Sequence, residues 1–285
     1  MTSHQTPILV LCGSDLRRRK LLRELDPDGR CPTKALLPFL GKRVIDWQLD
    51  ALRGCSRVGD ILLIGLTAAQ AELPFPVKFL PTDPASALLD KLQAGMAYFQ
   101  EHYPDQDRLV VSTCDTPGMR VESVQEFFDR LVEIPEADLV LSGVPESALG
   151  ADFPDAGRVV GRFRDQPVFP GELFALRPRV LLQESSLIED LSRVRRQFDR
   201  GTNRVSLGPL LRVLAGKPGL WGLILRYLSG SLSIPQTEKI ISRALGLEVR
   251  GVIIDDPGFG MDLDRPEDYP LLERYVRKIQ GTGMQ

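Results

Sequence analysis

Asp115 stands where a carboxylate can meet a metal-bound phosphate. Residues 108–119 read RLVVSTCDTPGM. The short apolar run Leu109-Val110-Val111 suits a strand buried on both faces of a parallel sheet. Thr116-Pro117-Gly118 ends it, because proline cannot donate to the ladder and glycine accepts unusual dihedrals. Asp115 is thereby set at the carboxyl end of a central strand, where open α/β sheets hold their ligands. A carboxylate there is a hard oxygen ligand, suited to magnesium already carrying a nucleotide's phosphates; the bland alternative is an aspartate that caps the next turn. Near the end of the chain, GFGMDLDRPEDYPLLERYV adds two more acids. Asp262 and Asp264 flank Leu263, so in extended geometry they share one face. With Asp115 they form a candidate divalent-cation set. Asp262 is the preferred ligand, and Asp264 is assigned to capping a last helix that begins around 265–268, with a proline at its start and acids in its first turn.

Positive charge lies upstream. Ile8 to Cys12 read as a first buried strand ending in Gly13-Ser14, followed by the basic loop DLRRRK. Glycine permits close backbone approach, successive N–H groups can form an anion-binding nest, and the arginines add fixed charge for phosphates; a solvated basic turn is the alternative. Neither G-x-G-x-x-G nor G-x-x-x-x-G-K-[ST] occurs, so no Rossmann or P-loop site is indicated. Lys34 precedes a Pro38/Gly41 turn and an amphipathic helix, and is either a surface lysine or a point charge for phosphate. Ser86 starts a further helix and doubles as its candidate cap. Five arginines between 192 and 204 read as a solvated face or an anionic acceptor site.

These residues need a scaffold. Strands and helices alternate through the first ~140 residues, which argues for a doubly wound, mostly parallel sheet. Val44, Trp47, Leu49 and Leu52 mark one helix, Leu88, Leu92, Met96 and Phe99 a second, and Val121, Val124, Phe128 and Leu131 a third. Further strands are expected at 60–66, 76–80 and 138–144, with 158–164 and 171–176 as a pair. From 178 to about 246 the pattern turns helical, and 249–254 returns to a strand. The expected division is a core over 1–180, a helical insertion over 181–246 that covers the acceptor side, and a returning strand and helix over 247–285. Within the insertion, 207–232 reads as two packed helices, with a lipid or membrane-surface acceptor as the lesser reading because Trp221, Arg226 and Tyr227 suit an interface.

Bulk properties narrow the function. The 285 residues are 43% hydrophobic with a formal net charge of −2, which offers no electrostatic argument for nucleic acid. Four cysteines, at 12, 31, 55 and 114, form no CxxC pair and no metal spacing, and reduced thiols favour a cytoplasmic location. Residues 1–7, MTSHQTP, lack signal-peptide blocks, and no apolar stretch reaches the ~18 residues of a membrane span. Two histidines, His4 and His102, leave little for a Ser-His or Cys-His mechanism or a zinc site.

Four motifs in this order resemble the MobA-like nucleotidyltransferases, the family of molybdenum cofactor guanylyl- and cytidylyltransferases. They are LCGS near the start, KALLPFLGK from Lys34, STCDTP at Asp115 and MDLDRPED at the end. The resemblance implies a three-layer α/β/α sheet of the glycosyltransferase-A type and transfer of a nucleoside monophosphate from an NTP with pyrophosphate release. It implies that Leu11, Cys12, Gly13 and Ser14 contact nucleotide, that Lys34 binds phosphate, and that Asp115 and Asp262 hold Mg2+. Arg18 falls at the family's arginine position, and Ser86 is a further nucleotide-side candidate. The acceptor is left as an unidentified phosphate or hydroxyl compound. Two departures stand out: Leu16 replaces a loop glycine, and Pro170-Gly171-Glu172 stands where relatives tend to have G-G-N. A glycosyltransferase using a nucleotide-sugar and a non-catalytic nucleotide-binding module are the alternatives that these departures keep open.

Overall fold

A computed structural model describes residues 5–13, 20–73, 75–83, 86–150, 152–154, 160–183 and 221–282. Ser14, Arg18, the arginines of 192–204 and the first of the two helices expected over 207–232 lie outside these. Eight strands form the main sheet: β1 (Thr6–Leu11), β4 (Val58–Ile64), β5 (Lys78–Leu80), β6 (Leu109–Ser112), β7 (Leu139–Pro145), β8 (Gly161–Arg162), β9 (Pro167–Leu176) and β10 (Val249–Ile253). Their order is β10-β7-β9-β6-β1-β4-β5, with β8 paired to β9. A separate hairpin joins β2 (Pro38–Phe39) to β3 (Lys42–Arg43).

The β1–β4, β1–β6, β4–β5 and β7–β10 ladders are parallel. β9 runs antiparallel between β6 and β7. Local pattern pairs β9 only with the preceding strand, because ladders to β6 and β7 are long-range and leave no local signal. Of the strand expected over 158–164, the described residues show Gly161–Arg162, and 158–159 lie outside them.

Alternation along the strands makes two cores. Ile8 and Val10 point to one face and Leu9 and Leu11 to the other; Ile61 and Leu63 oppose Leu62 and Ile64 in the same way. The first face is covered by α2 (Val44–Gly54), α4 (Val121–Glu133) and the last helix, α8 (Asp268–Thr282). The second is covered by α3 (Leu88–His102) and α7 (Ile234–Leu245). The result is the three-layer α/β/α arrangement, with α1 (Lys20–Leu25) and α5 (Glu146–Leu149) as short additions.

The described part of the 181–246 block ends in α6 (Trp221–Leu228) and α7. Ser233 caps α7, its hydroxyl accepting from the Gln236 N–H, and Gly246 closes it in the left-handed conformation. The α6–α7 junction rests on the β8–β9 hairpin: Arg164 N–H donates to the Leu232 carbonyl (2.8 Å) and Arg162 N–H to the Tyr227 hydroxyl (3.1 Å). Among the described residues no helix is long and apolar enough to cross a membrane.

Candidate metal and nucleotide site

Three segments meet at the carboxyl end of the parallel strands. The first carries Lys34. Asp26 is buried and accepts the N–H groups of Arg30 and Cys31 (3.0 and 2.8 Å), which closes the loop ahead of it. Thr33 then caps a single 3-10 turn, Lys34–Leu36. The hairpin that follows turns at Leu40 and Gly41, both with positive φ. It is pinned by Trp47 Nε1 on the Phe39 carbonyl and by the Tyr269 hydroxyl on the Pro38 carbonyl, each at 2.8 Å.

The second segment, 113–119, follows β6. Gln48, fully buried on α2, holds it from three directions. Its amide donates to Ser112 Oγ (2.6 Å) and the Thr113 carbonyl (2.8 Å), and its oxygen accepts from the Thr116 N–H (2.9 Å). Helix α2 thus anchors Asp115 while its own start, Val44 N–H on the Leu37 carbonyl at 3.0 Å, anchors the Lys34 turn.

The third segment, 256–264, is fastened at its base by buried Asp256. That carboxylate accepts from Gly258 N–H (3.1 Å), Arg120 Nε (3.0 Å), the Tyr275 hydroxyl (2.7 Å) and the Ser123 hydroxyl. Burial and the adjacent Asp256 push the Tyr275 hydroxyl well above its usual pKa, so Tyr275 stays a donor. The second and third segments touch backbone to backbone. Leu263 N–H donates to the Asp115 carbonyl (2.8 Å), and a Cβ on Gly258 would lie 2.1 Å from the Gly118 oxygen.

This packing brings one oxygen from each of Asp115, Asp262 and Asp264 within 4.8 Å of one another. Asp115 is 6% exposed and Asp262 3%. Lys34 Nζ lies 2.5 Å from Asp115 Oδ2 and also bonds Asp264 Oδ1. Burial works to lower the Lys34 pKa, but Asp115, Asp264 and Asp262 outweigh it and hold the ammonium well above its ordinary value. Asp115 Oδ1 is buried with no hydrogen-bond partner. A buried carboxylate oxygen left over in an all-oxygen cluster fits a hard divalent cation.

Asp264 does not cap the last helix. That helix begins at Asp268, whose carboxylate accepts the N–H groups of Asp264 (3.1 Å) and Arg265 (2.8 Å). The side chain of Asp264 is thereby released toward Lys34.

A family model described as the MobA-like NTP transferase domain matches residues 9–202. The chain belongs to this family. Membership makes it an NTP transferase of the nucleotidyltransferase class. Among solved structures, it is similar to a hypothetical transferase from Thermus thermophilus, with 26% identity, TM-score 0.69, and 93% of this chain and 99% of that one covered. It also shares its fold with a CMP:2-keto-3-deoxy-manno-octonic acid synthetase complexed with CTP (13% identity, TM-score 0.53, 97% and 99% covered). A third neighbour is a 4-diphosphocytidyl-2C-methyl-D-erythritol synthase from Anaerococcus prevotii (9% identity, TM-score 0.50, 96% and 99% covered). No curated protein matches the sequence.

On this transferase fold the opening loop leaves the sheet beside the carboxylates. Leu11 and Cys12 are buried, and Gly13 is exposed, with no atom of the described residues within 4 Å of where a side chain would start. Burial, with Cys114 and Asp115 nearby, raises the Cys12 thiol well above its usual pKa, so it acts as a small apolar residue. Cys12 also receives a donor that the sequence did not announce: buried Lys91 on α3 donates to its carbonyl at 2.9 Å. Burial lowers the Lys91 pKa. Ser86 does not hold the cap position of the helix it precedes. Ala87 holds the cap position of α3, with the Asp90 carboxylate on its N–H (3.0 Å), and Ser86 N–H donates to the Asp83 carbonyl. Where relatives tend to have G-G-N, Gly171 is needed for packing, since a Cβ there would lie 2.4 Å from Ser142 Oγ. Glu172 is buried, and its carbonyl accepts the Thr113 N–H at 3.4 Å.

Gln48, Lys91 and Asp256 escaped sequence reasoning. Gln48 and Lys91 left the same faint trace, a polar residue beside the apolar stripe of a helix.

Proposed function

We propose that this chain transfers a nucleoside monophosphate from an NTP to a phosphate or hydroxyl oxygen of a small acceptor and releases pyrophosphate. Asp115 and Asp262 hold Mg2+, with Asp264 beside them. The observation that carries this reading is the buried, unpartnered Asp115 oxygen within a cluster of three carboxylates, next to a lysine and an open glycine. A cation held by these carboxylates would supply electrophilic charge for the transferring phosphate. Lys34 supplies a point charge for the triphosphate, and Leu11, Cys12 and Gly13 are assigned to the nucleotide, as are Ser14 and Arg18, which lie outside the described residues. The chain's residues mainly position groups and balance charge, and a phosphate nucleophile needs no general base. The helical block 181–246 is assigned to the acceptor side. In support, its Leu232 and Tyr227 meet the β8–β9 hairpin, whose Val168 pairs with Pro145 at the carboxyl end of β7.

Thermal unfolding with ATP, GTP, CTP and UTP, each with and without Mg2+, tests the reading. At a hundred times its dissociation constant a ligand adds about 2.7 kcal/mol, which raises the midpoint by several degrees. One triphosphate is expected to act only with Mg2+. No shift with any of the four leaves a protein that no longer uses NTP.

A further inference from the structure

We propose that Lys34 is an internal stand-in for the cation: its ammonium holds the carboxylates together in the empty site and leaves them for the triphosphate when metal and NTP enter. This rests on the function proposed above.

Nζ already neutralises two of the three carboxylates, Asp115 through Oδ2 at 2.5 Å and Asp264 through Oδ1, so a dication entering at Asp115 Oδ1 and Asp262 would meet the ammonium's like charge. Three carboxylates this close, two of them buried, repel one another unless a positive charge sits among them. Among the described residues Lys34 is a cation paired to this cluster, through both Asp115 and Asp264. An ammonium on a four-carbon stem is a compact charge with rotatable donors, so it can exchange partners without moving its backbone. The Lys34 side chain is 26% exposed, against 8% for Asp115, so the lysine forms the more open side of the pair. Its backbone, by contrast, is fixed in the Thr33-capped turn.

The consequence is interdependence. Metal alone must displace Lys34 and leave its ammonium without an anion, whereas metal with NTP brings the anion along. Each ligand then tightens the other by the same factor. The order of charges in the site, rather than a moving domain, would keep the metal from settling before the nucleotide.

The test is Mn2+ titration, reading free Mn2+ by electron paramagnetic resonance, on wild-type protein, Lys34→Gln and Lys34→Arg. Each is measured without nucleotide and with ATP, GTP, CTP and UTP in turn. The stand-in role requires that some triphosphate raise wild-type Mn2+ affinity about tenfold or more. It also requires that Lys34→Gln bind Mn2+ without nucleotide about tenfold more tightly than wild type, while Lys34→Arg, which keeps the charge, gains nothing. If Lys34→Gln is no tighter than wild type although wild type binds Mn2+ with a triphosphate, the stand-in is wrong and the metal site survives. If no form binds Mn2+ under any condition, both readings fall. Should Lys34→Gln be unfolded as purified, Mn2+ alone must restore its cooperative melting; failure to do so overturns the proposal.

Discussion

Gly258→Ala probes the contact on which the carboxylate cluster depends. The added Cβ would sit 2.1 Å from the Gly118 oxygen and 2.7 Å from a Tyr275 ring carbon. Gly258 has no positive φ, so its backbone conformation suits alanine and the penalty is steric alone. Real Cβ atoms stay about 3 Å or more from such an oxygen, so the segments bearing Asp115 and Asp262 must separate by roughly 1 Å, an overpacking cost of about 1–3 kcal/mol. For a chain of this size that lowers the melting midpoint by roughly 2–10 °C. The effect on chemistry is larger than the effect on stability, because a ~1 Å misplacement of catalytic groups costs about a hundredfold in rate. The assay pairs differential scanning fluorimetry with pyrophosphate release once the nucleotide and an acceptor are known; until then, Mn2+ affinity reports the same displacement. Gly222→Ala on α6 is the control, since a Cβ there meets nothing within 4 Å among the described residues. It should leave both readings unchanged or raise stability slightly. A Gly258→Ala protein with wild-type melting and wild-type Mn2+ affinity would refute the claim that this backbone contact sets the cluster.

Asp115→Asn should keep the fold and lose about a hundredfold or more in turnover, as expected when a preorganised charge at the reacting phosphate is removed; activity and circular dichroism on one preparation decide it. Gln48→Leu fills similar volume but leaves the buried Thr116 N–H without its acceptor, so stability should fall by about 2–3 kcal/mol in urea unfolding. Asp138 is fully buried against Arg179 and Arg177. Burial works to raise its pKa, but hydrogen bonds from Arg179 and the Glu248 N–H win and hold it below the usual 3.8. Its contribution is therefore complete above that value and is lost as pH falls through the lower, folded-state pKa. Asp138→Ala should cost about 3 kcal/mol at pH 7 and flatten the acid limb of a stability profile below pH ~4; a limb as steep as wild type contradicts the assignment.

Much of the scaffold was legible because its signals are local. The apolar run before Asp115 and the proline after it place the acid at a strand end. The place of β9 was not legible, because an antiparallel strand between two parallel neighbours is chosen by distant partners. The role of Asp264 was misread for a narrower reason. Two acids four residues apart, Asp264 and Asp268, compete to close one helix start, and only the turn geometry gives that task to Asp268. The supporting residues Gln48, Lys91 and Asp256 act through buried polar bonds to remote loops, which composition and periodicity do not encode. The family motifs supplied Lys34, Asp115 and Asp262 as separate points; the packing of Gly118 on Gly258 is what brings two of their segments together.

The most direct measurement is anomalous diffraction at the manganese edge from crystals soaked with Mn2+ and the triphosphate selected by thermal shift. A peak is expected among the carboxylates of Asp115, Asp262 and Asp264, with Lys34 turned toward phosphate. A peak elsewhere, or bound nucleotide with no metal among these three residues, would contradict it.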